Sequence, residues 1–308
     1  MDVQENRSAW EWQTLALVVL CYLVWLGTTA SFAAVVTNFG YAGAGIMLFG
    51  VTAIAAAFHT SLQHEVVHGH PFPGRKWGAV LVYGSLNLAI PYGRFRDTHL
   101  SHHLDSTLTD PYDDPESNYL DPAVWGRLAV PLQMLLRANN TLLGRMVLGP
   151  AIGQVTFMAG DWRQVRAGNR RVLMSWLGHG AMMVLVLWIV SLSSLPVWAY
   201  LLACYLGLGV LKIRTFLEHQ AHEKVRGRTV IVEDRGLLAF LFLNNNFHVV
   251  HHMHPRTPWY RLPGLYFANR EKYLTRNDGY CYRSYAQIFR QHFLRAKDPV
   301  PHPLWPRG

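Results

Sequence analysis

Three stretches of the sequence concentrate histidine at short, regular intervals. The last of them, LNNNFHVVHHMHP at residues 243–255, places four histidines within seven positions. Side chains three or four positions apart lie on one face of a helix, so each stretch presents two or three imidazoles in one direction. This arrangement predicts metal binding. In chain order the stretches contain His64 and His68, then His99, His102 and His103, and finally His248, His251, His252 and His254.

The plainer interpretation of any one stretch is a solvated polar face. The chain has 16 histidines in 308 residues. Matching the HxxHH template by chance twice at that frequency has odds on the order of one in a thousand. Metal ligation is therefore the better interpretation of the set.

The first stretch, HEVVH, also matches the HExxH motif. In that motif two histidines bind zinc and the glutamate, here Glu65, acts as the general base of a metalloprotease. A catalytic zinc takes about three protein ligands, whereas this chain offers eight patterned imidazoles. The surplus favours two metal ions, although a membrane-embedded zinc protease or hydrolase stays an alternative.

The donor atoms narrow the choice of metal only in part. Cys21, Cys204 and Cys281 are widely spaced, and the first two lie in apolar runs, so thiolate ligation is not expected. Imidazole suits iron, zinc and copper. The type of reaction distinguishes an iron enzyme from a zinc enzyme. Two iron ions can activate dioxygen to remove hydrogen from an unactivated C–H bond, whereas hydrolysis does not need a pair of redox-active ions.

Composition indicates an integral membrane protein. The chain is 51% hydrophobic and only 15% charged, which is too apolar for an ordinary soluble protein of this length. The net charge is +9, but no zinc-finger, RNA-recognition or basic-helix signature accompanies it. Nucleic acid is therefore not an expected partner, and anionic lipid headgroups suit the charge better.

Hydropathy predicts an all-α membrane fold with four transmembrane helices in two hairpins. The predicted spans are about residues 14–36, 41–60, 172–192 and 195–214, with short turns TNFG and SLSSLP inside the pairs. The second and fourth helices are expected to continue beyond the membrane and to hold histidines there. Residues 77–92 and 124–158 are interrupted apolar segments, which predicts re-entrant or interfacial helices.

Positive charges predict the orientation. Neither short turn contains Lys or Arg, so both termini and all histidine stretches are expected on the cytosolic side. The whole chain, residues 1–308, is then one domain whose cytosolic cap spans about residues 64–171 and 215–308 and ends in a weakly structured tail. The positive charges predicted on the cytosolic side, opposite the two turns, are Lys76, Arg94, Arg96, Arg163, Arg166, Arg170, Arg171, Lys212 and Arg214.

HEVVH, HLSHH and HVVHH, in this order and separated by apolar runs, resemble the three histidine boxes of the membrane fatty-acid desaturase and hydroxylase superfamily. The resemblance extends over about residues 14–263 and includes LDSTLTDP after the second box and MHP after the third. It implies a non-haem di-iron centre. Its ligands would be His64, His68, His99, His102, His103, His248, His251 and His252. Members often add a lone histidine after the fourth span, and His219 in LEHQAHE occupies that place, with His222 as a competitor.

The resemblance implies an oxidoreductase that uses O2 to desaturate or hydroxylate a long fatty-acyl or related hydrocarbon chain entering from the bilayer. Two iron ions would be the cofactors, and purification could replace them with zinc. Because no cytochrome or ferredoxin segment is visible, electrons are expected from a separate ferredoxin, rubredoxin or cytochrome b5 type protein. A bacterial inner membrane or the endoplasmic reticulum would hold such an enzyme.

Four carboxylates adjacent to candidate ligands could orient imidazoles through the second ring nitrogen. The alternative for each is ordinary surface charge. A third interpretation of the chain, a histidine-rich metal carrier, lacks polar ligands along the spanning runs, where transport would need them. The four carboxylates are Glu65, Asp97, Asp110 and Glu218.

Overall fold

Helices dominate the computed structural model, which describes residues 10–72 and 75–305. The first helices are α1 (Trp12–Phe39), α2 (Ile46–Val67), α3 (Arg75–Val82), α4 (Tyr92–His102), α5 (Pro122–Arg127), α6 (Val130–Asn139), α7 (Leu142–Val147) and α8 (Gly149–Arg166). They are followed by α9 (Arg170–Ser191), α10 (Val197–Thr215), α11 (Leu237–Leu241), α12 (His248–Met253), α13 (Leu262–Ala268), α14 (Arg270–Arg276) and α15 (Tyr285–His292).

Extended structure in the described residues is confined to short pairings. Strands β1 (Ile231–Val232) and β2 (Cys281–Tyr282) are parallel, with Ile231 opposite Cys281. Single bridges join Leu120 to Pro301 and His219 to Thr229. Short 3-10 turns cover Asp105–Thr107 and Val225–Arg228, and a π-helical turn covers Gly40–Gly45.

The chain divides into two compact units. The first comprises the described residues up to Arg96 together with Gly160–Gly207, and the second comprises Asp97–Ala159 and the described residues from Leu208 onward. Most of the hydrophobic helices belong to the first unit. Two of the three histidine stretches belong to the second.

Three helical segments of the described chain are long and apolar enough to cross a membrane: Trp12–Val67, Arg170–Ser191 and Val197–Thr215. The first includes both α1 and α2. The Cys21 thiol donates to the Ala55 carbonyl at 3.4 Å, and the Tyr22 hydroxyl lies 3.0 Å from Nε2 of His59, so α1 lies against α2. The protein is therefore a helical membrane protein, while four spans in two hairpins stay a prediction.

The break between α1 and α2 differs from the predicted turn. TNFG was expected to form it, but α1 continues through Phe39, and the π-helical turn Gly40–Gly45 follows. Gly40 has a φ of +81°, which only glycine adopts without strain. The sequence located the break between the two helices to within a few residues. The backbone conformation of the break depends on the glycines of the turn Gly40–Gly45.

The predicted re-entrant stretch is helical at first, as α3, and then irregular over residues 83–91. Its buried carbonyls are satisfied by side chains of the first unit. The Tyr200 hydroxyl and the Cys204 thiol donate to the Leu86 carbonyl, and Nε2 of His179 lies 3.2 Å from the Leu88 carbonyl. Irregular backbone at membrane depth is tolerated when side chains satisfy it in this way.

Two expectations for the second unit were wrong. Helix α10 was expected to continue through Glu218 and His219, but it ends at Thr215. Beyond it the backbone pairs with another segment, since Gln220 N–H donates to the Arg228 carbonyl at 2.9 Å and Val230 N–H to the Glu218 carbonyl at 3.1 Å. These inter-segment hydrogen bonds replace the helical ones.

The second incorrect expectation is the weakly structured tail beyond about Asp298. Leu120 N–H donates to the Val300 carbonyl at 3.0 Å, and His302 N–H donates to the Leu120 carbonyl at 2.8 Å. Val300 is 8% exposed and His302 is 7% exposed. The described part of this segment is therefore packed within the second unit, where its backbone pairs with that of Leu120.

Candidate metal centre

The third histidine stretch forms α12, HVVHHM, which has two distinct faces. Val249 and Val250 are buried in an apolar cluster with Ile231 of β1, Phe247 and Leu262. Burial of that face fixes the rotation of the helix and turns the histidines to the other side. Those histidines are His248, His251 and His252.

The asparagines before α12 fix its starting point. The amide of Asn246 donates to the carbonyls of Val232 and Asp234, and the amide of Asn244 donates to the Trp259 carbonyl. Asn244 and the preceding Leu243 have φ values of +55° and +50°, and asparagine tolerates this conformation better than most residues. The NNN run thus forms a tight, well-anchored entry to the helix.

Asn245, the middle residue of the run, contacts a histidine directly. Its Oδ1 lies 3.1 Å from Nδ1 of His248, and its amide nitrogen donates to Glu218 Oε1 at 3.4 Å. Glu218 Oε1 also forms an ion pair with Arg214, whose Nε lies 2.9 Å away. The imidazole of His248 is therefore oriented through its Nδ1 and leaves Nε2 for another partner.

The second histidine stretch ends α4 and is followed by an acidic loop that returns to it. Asp114 Oδ1 lies 2.7 Å from Nδ1 of His102, and Glu116 Oε1 lies 3.0 Å from Nδ1 of His99. The Asp114 carboxylate is itself held by the backbone N–H groups of Thr109 and Glu116, each at 2.9 Å. Two imidazoles thus have fixed orientations before any ion binds.

Four histidines of the second unit converge on one point. Nε2 of His219 lies 2.9 Å from Nε2 of His102 and 3.1 Å from Nε2 of His248. One nitrogen from each member lies within 4.8 Å of one from every other member, as in a group able to hold a metal ion. We call this group the first cluster; it consists of His102, His219, His248 and His252.

The chemistry of these donors fits a cation. Asp114 and Asn245 present acceptor oxygens to Nδ1 of His102 and His248, so Nδ1 is expected to carry a proton in both rings, and Nε2 faces the cluster. Ring nitrogens that face each other at about 3 Å repel unless a positive charge, a proton or a metal ion, lies among them. Four imidazoles around one point, two buried and two half-buried, are the donor set expected for a transition metal.

Three further histidines of the second unit form an adjacent group. Nε2 of His103 lies 3.1 Å from Nε2 of both His99 and His251. The rings of His103 and His252 stack with their centroids 4.4 Å apart, so the two groups are neighbours. We call this group the second cluster; it consists of His99, His103 and His251.

The remaining pair of predicted ligands belongs to the first unit. His64 lies on α2 and His68 caps its C-terminus, one turn further along. Their rings are 4.9 Å apart, and both side chains are buried. The pair therefore presents two imidazoles on one face, as the HxxxH spacing predicted.

The electrostatics of the second unit favour neutral imidazoles in part of the first cluster. Burial, reinforced by the neighbouring histidines, places the pKa of both His219 and His248 well below the usual range. Burial acts in the same direction on His102, but Glu116 and Asp114 outweigh it and raise the pKa of His102 to about 9. Burial is likewise outweighed at Glu116, where His102 and His99 lower the pKa of the carboxyl. A carboxylate pair thus supplies negative charge beside the cluster.

The structure separates His219 from its competitor. Nδ1 of His222 lies 3.1 Å from the Lys224 carbonyl, and its Nε2 lies 3.6 Å from Asp278. His222 is in a loop outside both clusters, whereas His219 is in the first. His254, at the C-cap of α12, is also outside both.

The four carboxylates singled out from the sequence have different surroundings. Glu218 lies 3.9 Å from Nδ1 of His248. Asp110 accepts the N–H groups of Tyr112 and Asp113 and so stabilises a turn. Glu65 is buried on α2, and Asp97 lies on α4 two residues before His99.

Sequence reasoning missed several groups that contact the imidazoles. These are Asp114, Glu116 and Asn245, together with Thr229, whose Oγ1 lies 3.4 Å from Nδ1 of His219. A signal was present for the first two, since DPYDDPES follows the second histidine stretch closely. For Thr229 there was none, because it reaches His219 only through pairing of two segments.

Comparison with known proteins agrees with this geometry. The family model described as "Fatty acid desaturase" matches residues 38–284, which include every histidine of both clusters as well as His64 and His68. No curated protein matches the chain. The metalloprotease alternative gains no support, because the described second unit alone brings together seven imidazoles, more than one zinc uses.

Proposed function

Since the chain belongs to the fatty acid desaturase family, we propose that it uses O2 and two bound iron ions to desaturate or hydroxylate a long fatty-acyl or related hydrocarbon chain. Membership of the family already makes the protein an oxidoreductase of fatty-acid metabolism in a membrane. The convergence of His102, His219 and His248 around one point is the observation that supports the metal centre most directly.

The proposed ligands divide between two ions. His102, His219, His248 and His252 hold one ion. His99 and His251, with His103 beside them, are proposed ligands of the other. His64 and His68 of the first unit are proposed iron ligands as well, because they form the first histidine box of the family resemblance. Bound iron would activate dioxygen, a reaction that amino-acid side chains by themselves do not provide.

The protein's own groups set the environment for that chemistry. Asp114, Glu116 and Asn245 orient imidazoles through Nδ1, and the ligands His102, His248 and His251 are each 1% exposed. Burial limits access of bulk water, so solvent would compete less with a substrate chain at a bound metal. Whether removal of a second hydrogen or transfer of an oxygen follows depends on how the substrate chain is placed.

The substrate is proposed to enter from the bilayer. The hydrophobic helices of the first unit expose large apolar side chains, among them Val19 and Leu23 on α1 and Met174, Leu177 and Val184 on α9. Such surfaces suit contact with lipid tails. We place both termini and the metal site on the cytosolic side, in a bacterial inner membrane or the endoplasmic reticulum, with a separate acidic ferredoxin, rubredoxin or cytochrome b5 type protein as electron donor.

The test combines metal analysis with lipid analysis. Protein purified from iron-replete cells is expected to contain two iron ions per chain, and lipids of those cells are expected to contain chains that have lost two hydrogens or gained one oxygen. His251→Ala should abolish the product, and His254→Ala, the matched control outside both clusters, should retain it. Full activity of His251→Ala would overturn the proposal.

A further inference from the structure

The segment Lys297–His302, which we call the strap, lies against the loop that holds His219. Lys297 Nζ donates to the backbone carbonyls of His219 and of Phe216, the latter at 3.4 Å. The lysine side chain is only 12% exposed. It therefore contacts the backbone of a proposed metal ligand from a distant part of the sequence.

A second line of contacts joins the strap to the same loop. The Tyr119 hydroxyl donates to the Asp298 carboxylate and accepts the N–H of Ala221 at 2.9 Å. Asp298 lies 3.5 Å from Lys297 Nζ, and Lys297 Nζ lies over the Tyr119 ring at 5.9 Å. The loop is thus held on both sides of His219, at residues 216, 219 and 221.

His219 needs such support more than its neighbours do. His102 lies on α4, and His248 and His252 lie on α12, whose buried face fixes their direction. His219 follows the end of α10 and has only the single bridge to Thr229 as regular structure. Its position at the cluster depends on the contacts of the loop.

The positive charge of Lys297 does not itself favour metal binding. A buried ammonium is costly unless it is paired and hydrogen-bonded, and a positive charge near a metal site repels the ion that the site must bind. Two carbonyls and Asp298 satisfy the ammonium here. The benefit that offsets its charge is geometric.

We propose that Lys297, supported by Asp298, is a positioning residue that holds the His219 loop so that the imidazole completes the first cluster. This inference rests on the proposed metal centre and adds to it a group that does not touch the ion. Removing the ammonium should leave the other ion in place, because the second cluster does not use this loop.

The test is metal binding by Lys297→Met in the full-length protein, with iron as the probe. We expect one ion to bind as in the unsubstituted protein and the other about 10-fold or more weakly, the loss usual for groups that orient a ligand. Lys297→Arg should restore much of the affinity. Lys224→Met is the matched control, since Lys224 is an exposed lysine paired with Asp278.

A double-mutant cycle separates positioning from a general loss of stability. Adding Lys297→Met to His219→Ala should cause no further loss of iron, because the ligand it positions is already absent. Lys297→Gln, which keeps an N–H donor, is the second variant if Lys297→Met does not fold. It should bind one ion as in the unsubstituted protein and the other with a smaller loss of affinity than the roughly 10-fold loss expected for Lys297→Met.

The outcomes distinguish this inference from the proposed function. If the unsubstituted protein binds two iron ions and Lys297→Met binds both unchanged, or loses both equally, the positioning role is wrong and the metal centre stands. If the unsubstituted protein binds no pair of ions, the proposed function itself fails.

Discussion

The carboxylate of Asp114 lies 2.7 Å from Nδ1 of His102, and each of the two side chains is 1% exposed. Both carboxylate oxygens are also held by backbone N–H groups, from Thr109 and Glu116. This buried pair fixes which ring nitrogen of His102 faces the first cluster. It is a direct contact between a proposed metal ligand and a group that orients it.

Asp114→Asn should therefore weaken binding of one iron ion. The amide can still accept a hydrogen bond from Nδ1, but it supplies no negative charge, so we expect about a 10-fold loss of affinity, and a larger one for Asp114→Ala. Titration of metal-stripped protein with ferrous iron measures this. The neighbouring Asp113→Asn is the control, since Asp113 is exposed; equal losses in both variants would contradict the assignment.

His219→Ala and His222→Ala should behave differently. His219 lies 2.9 Å from His102 within the first cluster, whereas His222 lies beside Lys224 and Asp278. We expect His219→Ala to lose one of the two iron ions and all turnover, and His222→Ala to keep both. Iron content per chain, measured on folded protein, decides between them. Loss of iron in His222→Ala alone would reverse the assignment.

Removal and replacement of the metal should separate oxidation from hydrolysis. After chelation, ferrous iron is expected to restore lipid-dependent oxygen consumption when a reduced ferredoxin-type donor is supplied, and zinc is expected not to, because zinc has no redox chemistry. An oxygen electrode and lipid chromatography make the measurement. Recovery of a hydrolytic activity with zinc, dependent on Glu65, would instead support the metalloprotease alternative.

Gly207 should resist substitution because α10 and α2 approach closely there. A Cβ at Gly207 would lie 2.6 Å from the Ala53 carbonyl, whereas one at Gly50 on α2 would meet nothing within 4 Å. Small residues at such contacts let hydrophobic helices lie close together. We expect Gly207→Ala to destabilise the protein by about 1–3 kcal/mol, and Gly50→Ala to have little effect. Unfolding in detergent measures both, and similar unfolding temperatures would contradict the prediction.

The sequence determined the family, the membrane character and the histidines of the three stretches. These follow from local information: hydropathy over about 20 residues, and spacing of three or four positions that puts imidazoles on one helical face. His64 with His68, and the three histidines of α12, are cases in which that local rule sufficed.

Tertiary structure alone decided which side chains contact the imidazoles and which additional histidine joins them. Asp114 and Glu116 reach His102 and His99 because a loop folds back, and His219 is preferred over His222 because α10 ends at Thr215 and its continuation pairs with residues 228–230. Lys297 contacts the His219 loop from 78 positions away along the chain. No periodicity encodes such contacts, because they depend on which distant segments share a buried surface after folding.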